Sequence, residues 1–305
     1  MLIGITLGDP SGIGPEIILK SAVNLIKYRD LYIFGSSRVL KKTANDLKLT
    51  KQYRLLKNRI IDCVDYIEFN YGRPNINTGK VAIQSIDCSL KSVCDIIVTA
   101  PIVKEVITRS LPGFIGHTEY YAKYHDVHDF AMIGIHHDKR IMLLTTHQPL
   151  RHAINKIQPA MIVSKLRLFD HGLKKYFKIE NPIIAVSALN PHAFEFSLGE
   201  DEEIAEAVLI ARRQGINAKG PYAADSIYQR RYDGFLTMYH DQAMIFLKSR
   251  KDGLNFTLGL PRIRLSPLYG AALDIAGKNI AENSGLIKAV RTGILLYKNA
   301  RNYES

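Results

Sequence analysis

The sequence predicts an α/β protein built around a mostly parallel sheet, and two observations predict it. Short β-branched runs alternate with amphipathic stretches from end to end, the order that successive βα units leave in a chain. Each run also gives way to a turn containing Gly, Pro, Ser or His. The first expected strand, Leu2–Leu7, passes through Gly8-Asp9-Pro10-Ser11-Gly12-Ile13-Gly14 into a helix expected over Pro15–Lys27. Pro15 suits a first helical turn, where its missing N–H has no intrahelical acceptor to serve. Strands are expected next at Leu31–Gly35, Asp95–Thr99, Phe130–Ile135, Arg140–Thr145, Ile183–Ala188 and Gly234–Tyr239. Helices are expected at Ser37–Leu47, Thr78–Val93, Thr118–Tyr124, Ala160–Tyr176 and Asp201–Gln214, the last stopped by Gly215. Thr50 to Asn77 has weak periodicity and many basic residues, and reads as a variable, solvated segment.

The chain has 305 residues, which allows two domains. No Pro/Gly/Ser-rich linker separates two halves, so two lobes would have to share elements. With 47% hydrophobic and 23% charged residues, the composition is globular rather than fibrous or disordered. Forty-one Lys and Arg against twenty-nine Asp and Glu leave +12, which suits an anionic partner. The basic residues are spread along the chain and no nucleic-acid motif accompanies them, so nucleic-acid binding is not expected. The uncharged stretch Asn181–Phe194 is shorter than the roughly 18 apolar residues a membrane span needs, and Asn190, Pro191 and His192 interrupt it, so no membrane helix is expected. Met1 leads directly into the first strand with no basic or long apolar leader, so a cytoplasmic location is expected. Cys63, Cys88 and Cys94 show no CxxC spacing and are expected to be packing residues.

Three histidines hold equivalent local positions. His147 follows the strand Arg140–Thr145, His192 follows Ile183–Ala188, and His240 directly follows Gly234–Tyr239. Ligands of open α/β sheets bind outside the carboxyl ends of strands. Imidazoles gathered there are either hydrogen-bonded loop residues or a divalent metal set, three protein ligands leaving coordination positions open for substrate oxygens. The histidines at 125, 128, 136, 137, 152 and 171 sit in polar contexts and are expected at the surface. The turn Gly8–Glu16 is neither a dinucleotide fingerprint, since Ile17 stands where a third Gly or Ala would be, nor a P-loop. It reads as a tight strand-to-helix turn or as a place where N–H groups approach a ligand. From Lys248 to Arg264, an ammonium (Lys248), an amide (Asn255) and a guanidinium fork (Arg264) surround a Gly-Leu-rich turn. They form either a phosphate or carboxylate set, with charge-assisted bonds of roughly 1.5–3 kcal/mol each, or a solvated basic loop.

Several motifs in register carry a resemblance. They are Gly8-Asp9-Pro10-Ser11-Gly12-Ile13-Gly14-Pro15-Glu16, Thr99-Ala100-Pro101-Ile102-Val103-Lys104, Gly116-His117-Thr118-Glu119 and Thr145-Thr146-His147-Gln148-Pro149-Leu150. Leu189-Asn190-Pro191-His192-Ala193, Ala224-Asp225-Ser226, Met238-Tyr239-His240-Asp241-Gln242 and Asn255 through Arg264 complete them. In this order they resemble the 4-hydroxythreonine-4-phosphate dehydrogenase family of vitamin B6 biosynthesis, over nearly the whole chain. The resemblance implies a two-lobed fold like that of isopropylmalate dehydrogenase, with the active site in the cleft between lobes. It places 1–112 with 272–305 in one lobe and 113–271, carrying most metal and substrate residues, in the other.

The resemblance further implies oxidation of the secondary alcohol of 4-phosphooxy-L-threonine by NAD (or NADP), with decarboxylation to 3-amino-2-oxopropyl phosphate. It implies one divalent metal ion per subunit (Zn, Mg or Co) held by His147, His192 and His240, and a homodimer whose subunits both contribute ligands, His147 and His240 of one site coming from different chains. Substrate contacts are implied for His117, Thr118, Lys248, Asn255 and Arg264, with Asp225, Asp241 and Lys248 as acid/base candidates. The cofactor-binding residues are not implied by any motif. Three features depart from the family. Leu268-Tyr269 replaces an Asp-His pair, Phe194-Glu195-Phe196 shortens the loop after His192, and the Thr50–Asp95 region is short. They leave open a relative acting on 4-phosphoerythronate or 4-phosphothreonate, or a member that binds a phosphorylated ligand with impaired catalysis.

Overall fold

The computed structural model describes residues 1–65 and 67–304. Its strands are β1 (Ile3–Thr6), β2 (Leu31–Gly35), β3 (Ile60–Asp62), β4 (Ile96–Thr99), β5 (Ala131–His136), β6 (Lys139–Leu143), β7 (Ile184–Ser187), β8 (Ala218–Tyr222), β9 (Gly234–Thr237), β10 (Leu254–Leu258) and β11 (Ile263–Pro267). The α-helices are α1 (Gly14–Lys20), α2 (Ala22–Leu25), α3 (Ser37–Asp46), α4 (Thr50–Leu56), α5 (Ile76–Lys91), α6 (Lys104–Ser110), α7 (His117–Tyr124), α8 (Leu150–Ile154), α9 (Pro159–Phe177), α10 (Glu200–Arg213), α11 (His240–Lys248) and α12 (Ser284–Glu304). The chain divides into two compact units, one of Met1–Asp126 with Pro261–Leu295, the other of Val127–Leu260 with the stretch from Leu296.

The first unit is a parallel sheet in the order β3-β2-β1-β4-β11. All four residues of β1 are buried, as are those of β4, the signature of strands covered on both faces. Helix α12 lies against this sheet at Gly293, where an added Cβ would meet Ile96 at 2.7 Å. The second unit runs β10-β5-β6-β9-β7-β8, with β10/β5 and β5/β6 antiparallel and the remaining pairs parallel. A tight turn, with His137 at φ 51°, joins β5 to β6.

All seven expected strands form, and Pro15 stands in the first turn of α1. The first helix is shorter than its pattern because the hydroxyl of Ser21 donates to the carbonyl of Ile17 (2.7 Å), and a second short helix begins beyond it. Four strands were not expected. Strand β3 has three residues at a sheet edge, and β8 reads Ala-Lys-Gly-Pro-Tyr, a poor strand composition. The Lys248–Arg264 region is not a turn but two strands, β10 and β11, joined at Gly259. Gly259 holds φ 99° with a Cβ position 2.4 Å from the carbonyl of Asp129, a site closed to other residues. The described residues of 50–77 are solvated as expected, only Leu56 and Phe69 being buried, yet they form α4, β3 and the start of α5. Against the expected bounds, residues 113–126 and 261–271 fall in the first unit, the latter because β11 pairs with β4, and the stretch from Leu296 falls in the second. His117, Thr118 and Arg264 therefore belong to a different unit from the three histidines. Cys94 is buried, while Cys63 and Cys88 are half-buried.

Candidate active site

Strands β6, β9 and β7 are neighbours and run parallel, so the segments leaving their carboxyl ends emerge on one edge of the second unit. Those segments carry His147, His240 and His192. The rings of His147 and His240 lie 5.5 Å apart, centroid to centroid, within one chain, so the pair expected from different subunits is brought together by the parallel neighbours β6 and β9 of a single one. His192 stands apart from them, its Nδ1 2.9 Å from Oε2 of Glu195. The Nδ1 of His240 is likewise 2.7 Å from Oδ1 of Asp241. In both residues an acidic side chain occupies Nδ1 and leaves Nε2 as the outward nitrogen. This is how a carboxylate fixes the tautomer and orientation of a metal-binding imidazole. Among the described residues, no three His, Cys, Asp or Glu of one chain stand close enough together to hold a metal ion.

The strand ends are tied together by groups that the sequence reading left without a role. The carbonyl oxygen of the Gln242 side chain accepts from the Met238 N–H and the Ser187 hydroxyl (2.9 Å each), and its amide donates to the Ala188 carbonyl (2.8 Å). One side chain thus joins the ends of β7 and β9. Thr145 donates to the Met238 carbonyl (2.7 Å) and joins β6 to them. Asp201, fully buried at the start of α10, accepts from the Leu189 N–H (2.7 Å) and the Asn190 amide (3.1 Å), which anchors the His192 loop. In that loop His192 and Ala193 both take left-handed φ values, 58° and 61°, strained for residues with a Cβ. The side chains of Phe194 and Phe196 are exposed beside them.

Asp225 and Asp241 border one cavity of about 570 Å³ together with His192, Tyr239 and Gln242. Tyr239 and Asp241 also line a smaller one of about 200 Å³ with His147 and His240. Lys248 closes the helix that His240 opens. Asn255 sits on β10 opposite Gly134 of β5, and Leu247 fills the space of the missing Gly134 side chain, so the end of α11 shares a sheet face with Asn255. The Asn255 Oδ1 is shielded from solvent with no hydrogen-bond partner.

In the first unit Arg264 is almost wholly buried, and its Nη2 donates to the hydroxyl of Thr99 at the end of β4. Burial lowers its pKa to about 10, with Tyr121 and Glu119 opposing the shift. His117 and Thr118 open α7, Thr118 being buried. Burial, Arg264 and Lys104, in that order, push the His117 imidazole well below its ordinary value, so it is neutral. Its Nε2 is shielded from solvent and has no partner. The turn after β1 proves structural. The N–H groups of Asp9, Gly12 and Ile13 donate to the carbonyls of Pro101, Asp9 and Ala271, so they are not available to a ligand. Buried Asp9 accepts from the N–H and hydroxyl of Ser11 and from Thr78, and burial raises its pKa despite those bonds. Tyr269 packs on the start of α12. An added Cβ at Gly285 would lie 2.6 Å from its ring.

These features define a class: an α/β enzyme with a mostly parallel sheet that gathers imidazole and carboxylate groups past strand ends and carries a buried guanidinium. The chain belongs to the family of the pyridoxal phosphate biosynthetic protein PdxA, whose model matches residues 27–293. It is 37% identical over 316 residues to the 4-hydroxythreonine-4-phosphate dehydrogenase of Sulfurihydrogenibium sp. (strain YO3AOP1), covering 96% of this chain and 98% of that one. The crystal structure of 4-hydroxythreonine-4-phosphate dehydrogenase from Klebsiella pneumoniae superposes with a TM-score of 0.77 at 27% identity, covering 97% of this chain and 99% of that one. The fold alone is shared with isocitrate dehydrogenase from Methylococcus capsulatus (TM-score 0.50, 13% identity, 100% and 88% covered).

Proposed function

We infer that the chain is an NAD-dependent dehydrogenase that oxidises 4-phosphooxy-L-threonine at C3. The β-keto acid formed loses carbon dioxide to give 3-amino-2-oxopropyl phosphate, in pyridoxal phosphate biosynthesis. The observation that carries this reading is the match along almost the full length of both chains to an enzyme named for that activity, joined to strand ends that present the expected residue types on one edge. In the first unit Arg264 is assigned to the phosphate, and the shielded Nε2 of His117 is a group a ligand would satisfy; in the second, Lys248 and Asn255, with its shielded Oδ1, are the candidates for the same substrate. Asp241 or Asp225, both exposed beside the same cavity, takes the C3 hydroxyl proton.

The donor set suits a divalent ion, Zn, Mg or Co, because His240 and His192 each keep Nδ1 on a carboxylate and present Nε2. Such an ion, held by His147, His192 and His240, would supply charge at the C3 oxygen, and bound NAD the hydride acceptor. His192 of one chain does not join its own His147 and His240, which supports a homodimer with ligands contributed by both subunits. Production of NADH with 4-phosphooxy-L-threonine, compared with 4-phosphoerythronate, 4-phosphothreonate and no substrate, tests the reading. Preference for either non-aminated acid would replace it, and NADH from none of the three would leave a phosphate-binding protein without this activity.

A further inference from the structure

The first unit holds a cation beside Arg264 and His117 to which the motifs gave no role. Lys104 opens α6, immediately after the loop that leaves the carboxyl end of β4. The last residue of β4 is Thr99, the acceptor for Arg264. Across from it, Gly116 precedes α7 with an extended backbone (φ 170°), a conformation any residue can adopt. A Cβ added at Gly116 would lie 3.3 Å from Nζ of Lys104 and 3.1 Å from Oε2 of Glu119. The missing side chain of Gly116 thus leaves room beside both the Lys104 ammonium and the Glu119 carboxylate. Next in sequence is His117, with its shielded and unpartnered Nε2. Lys104 is near enough, with Arg264, to oppose protonation of that ring.

We propose that Lys104 is a specificity-determining contact for the substrate phosphate, presented over Gly116 alongside Arg264 and His117. The proposal rests on the dehydrogenase reading for the identity of the phosphate ester. A phosphate dianion is matched better by several cations than by one, and Lys104 is the cation that stands beside the buried Arg264 and His117 within the first unit. The two are also complementary: Arg264 is a planar fork fixed in the sheet, whereas Lys104 is a mobile point charge at the surface. Neutral His117 adds a hydrogen bond without adding a third charge.

The test uses the full-length enzyme and two readouts, inorganic phosphate binding by calorimetry and steady-state kinetics with 4-phosphooxy-L-threonine. Lys104→Met should weaken phosphate binding and raise KM roughly 10- to 100-fold, the loss of one charge-assisted bond, with kcat little changed. Lys104→Arg should recover most of both. Gly116→Ala, which the extended backbone tolerates, should displace the ammonium and move both readouts in the direction of Lys104→Met. Wild-type turnover with phosphate affinity and KM unaltered in Lys104→Met and Gly116→Ala would overturn the role of Lys104 and leave the dehydrogenase reading standing. A wild-type protein that binds phosphate through Lys104 but oxidises none of the substrates would sink the dehydrogenase reading instead.

Discussion

Arg264 on β11 reaches the hydroxyl of Thr99 at the end of β4, a bond between residues 165 apart in sequence that holds a guanidinium with only 1% of its surface exposed. A buried cation is kept only where it is paired or where a ligand completes it. Replacing it with Lys keeps the charge and loses the fork, so Arg264→Lys should raise KM for the phosphorylated substrate at least about tenfold while the protein stays folded. An unchanged KM in steady-state assays would remove Arg264 from the phosphate site.

Loss of any of the three histidines should cost bound metal. His147→Ala, His192→Ala and His240→Ala are each expected to fold and to lose activity. Their metal affinity, measured by competition with a chromogenic chelator, should fall by at least about tenfold, comparable to losses seen when a metal's supporting groups are removed. Stoichiometric, tightly held metal in the triple variant would count against the assignment.

His192 does not approach the other two rings within one chain, and this leads to a complementation experiment. Subunits carrying His192→Ala and subunits carrying His240→Ala, each inactive as homodimers, are unfolded together and refolded. If the two histidines of one site come from different chains, every mixed dimer has one intact site. Half the dimers being mixed, about a quarter of wild-type activity should return. Verified mixed dimers without activity would mean that each subunit builds its own site.

Gln242 binds two backbone groups and one hydroxyl at the ends of β7 and β9, so Gln242→Ala should lower stability by about 2 kcal/mol through the polar groups it leaves unpaired. Urea unfolding followed by circular dichroism measures this. A midpoint equal to wild type would show that water replaces the side chain at no cost.

Burial keeps His117 neutral in the folded protein, with a pKa well below its ordinary value. Below about pH 6.5 the unfolded chain takes up a proton there that the folded chain refuses, so stability falls as pH falls through that value. The slope is about 1.4 kcal/mol per pH unit for one such proton, down to the lowered folded pKa. His117→Leu should lack this component, seen as a shallower loss of stability between about pH 7 and 5. Identical pH dependence in the two proteins would mean that His117 titrates normally when folded.

How much of this was readable from sequence depends on what kind of signal each element carries. β1 and β4 are rich in β-branched residues and buried on both faces, so composition alone exposes them. Strand β11 is Ile-Arg-Leu-Ser-Pro and carries an arginine that folding buries, so its pattern resembles a basic loop. Its place beside β4 depends on a pairing that no local window contains. Helix α12 does carry the signal, since Leu286, Ala289, Val290, Leu296 and Ala300 recur at helical spacing on its buried side. The three histidines were placed because position after a strand is a local property, and parallel neighbours turn it into shared geometry. Gln242 and Asp201 were not, since a polar residue at a helix start reads as a surface group until the backbone N–H it must satisfy is known. Gly116 gives no sequence sign that its missing side chain leaves room beside Lys104.

The return of β11 to β4 also sets an order of events during synthesis. The ribosome completes β1 to β4 early, but the strand that covers the open edge of β4 emerges only after all of Val127–Leu260 has been made. In that interval the second unit can begin to fold while β4 presents unpaired N–H and C=O groups along Ile96, Ile97 and Val98, an apolar edge able to pair with another nascent chain. Slow translation between residues 127 and 260 would prolong that exposure. The yield of soluble protein should therefore depend on elongation speed and on chaperone supply in a way that the stability of the finished molecule does not reveal.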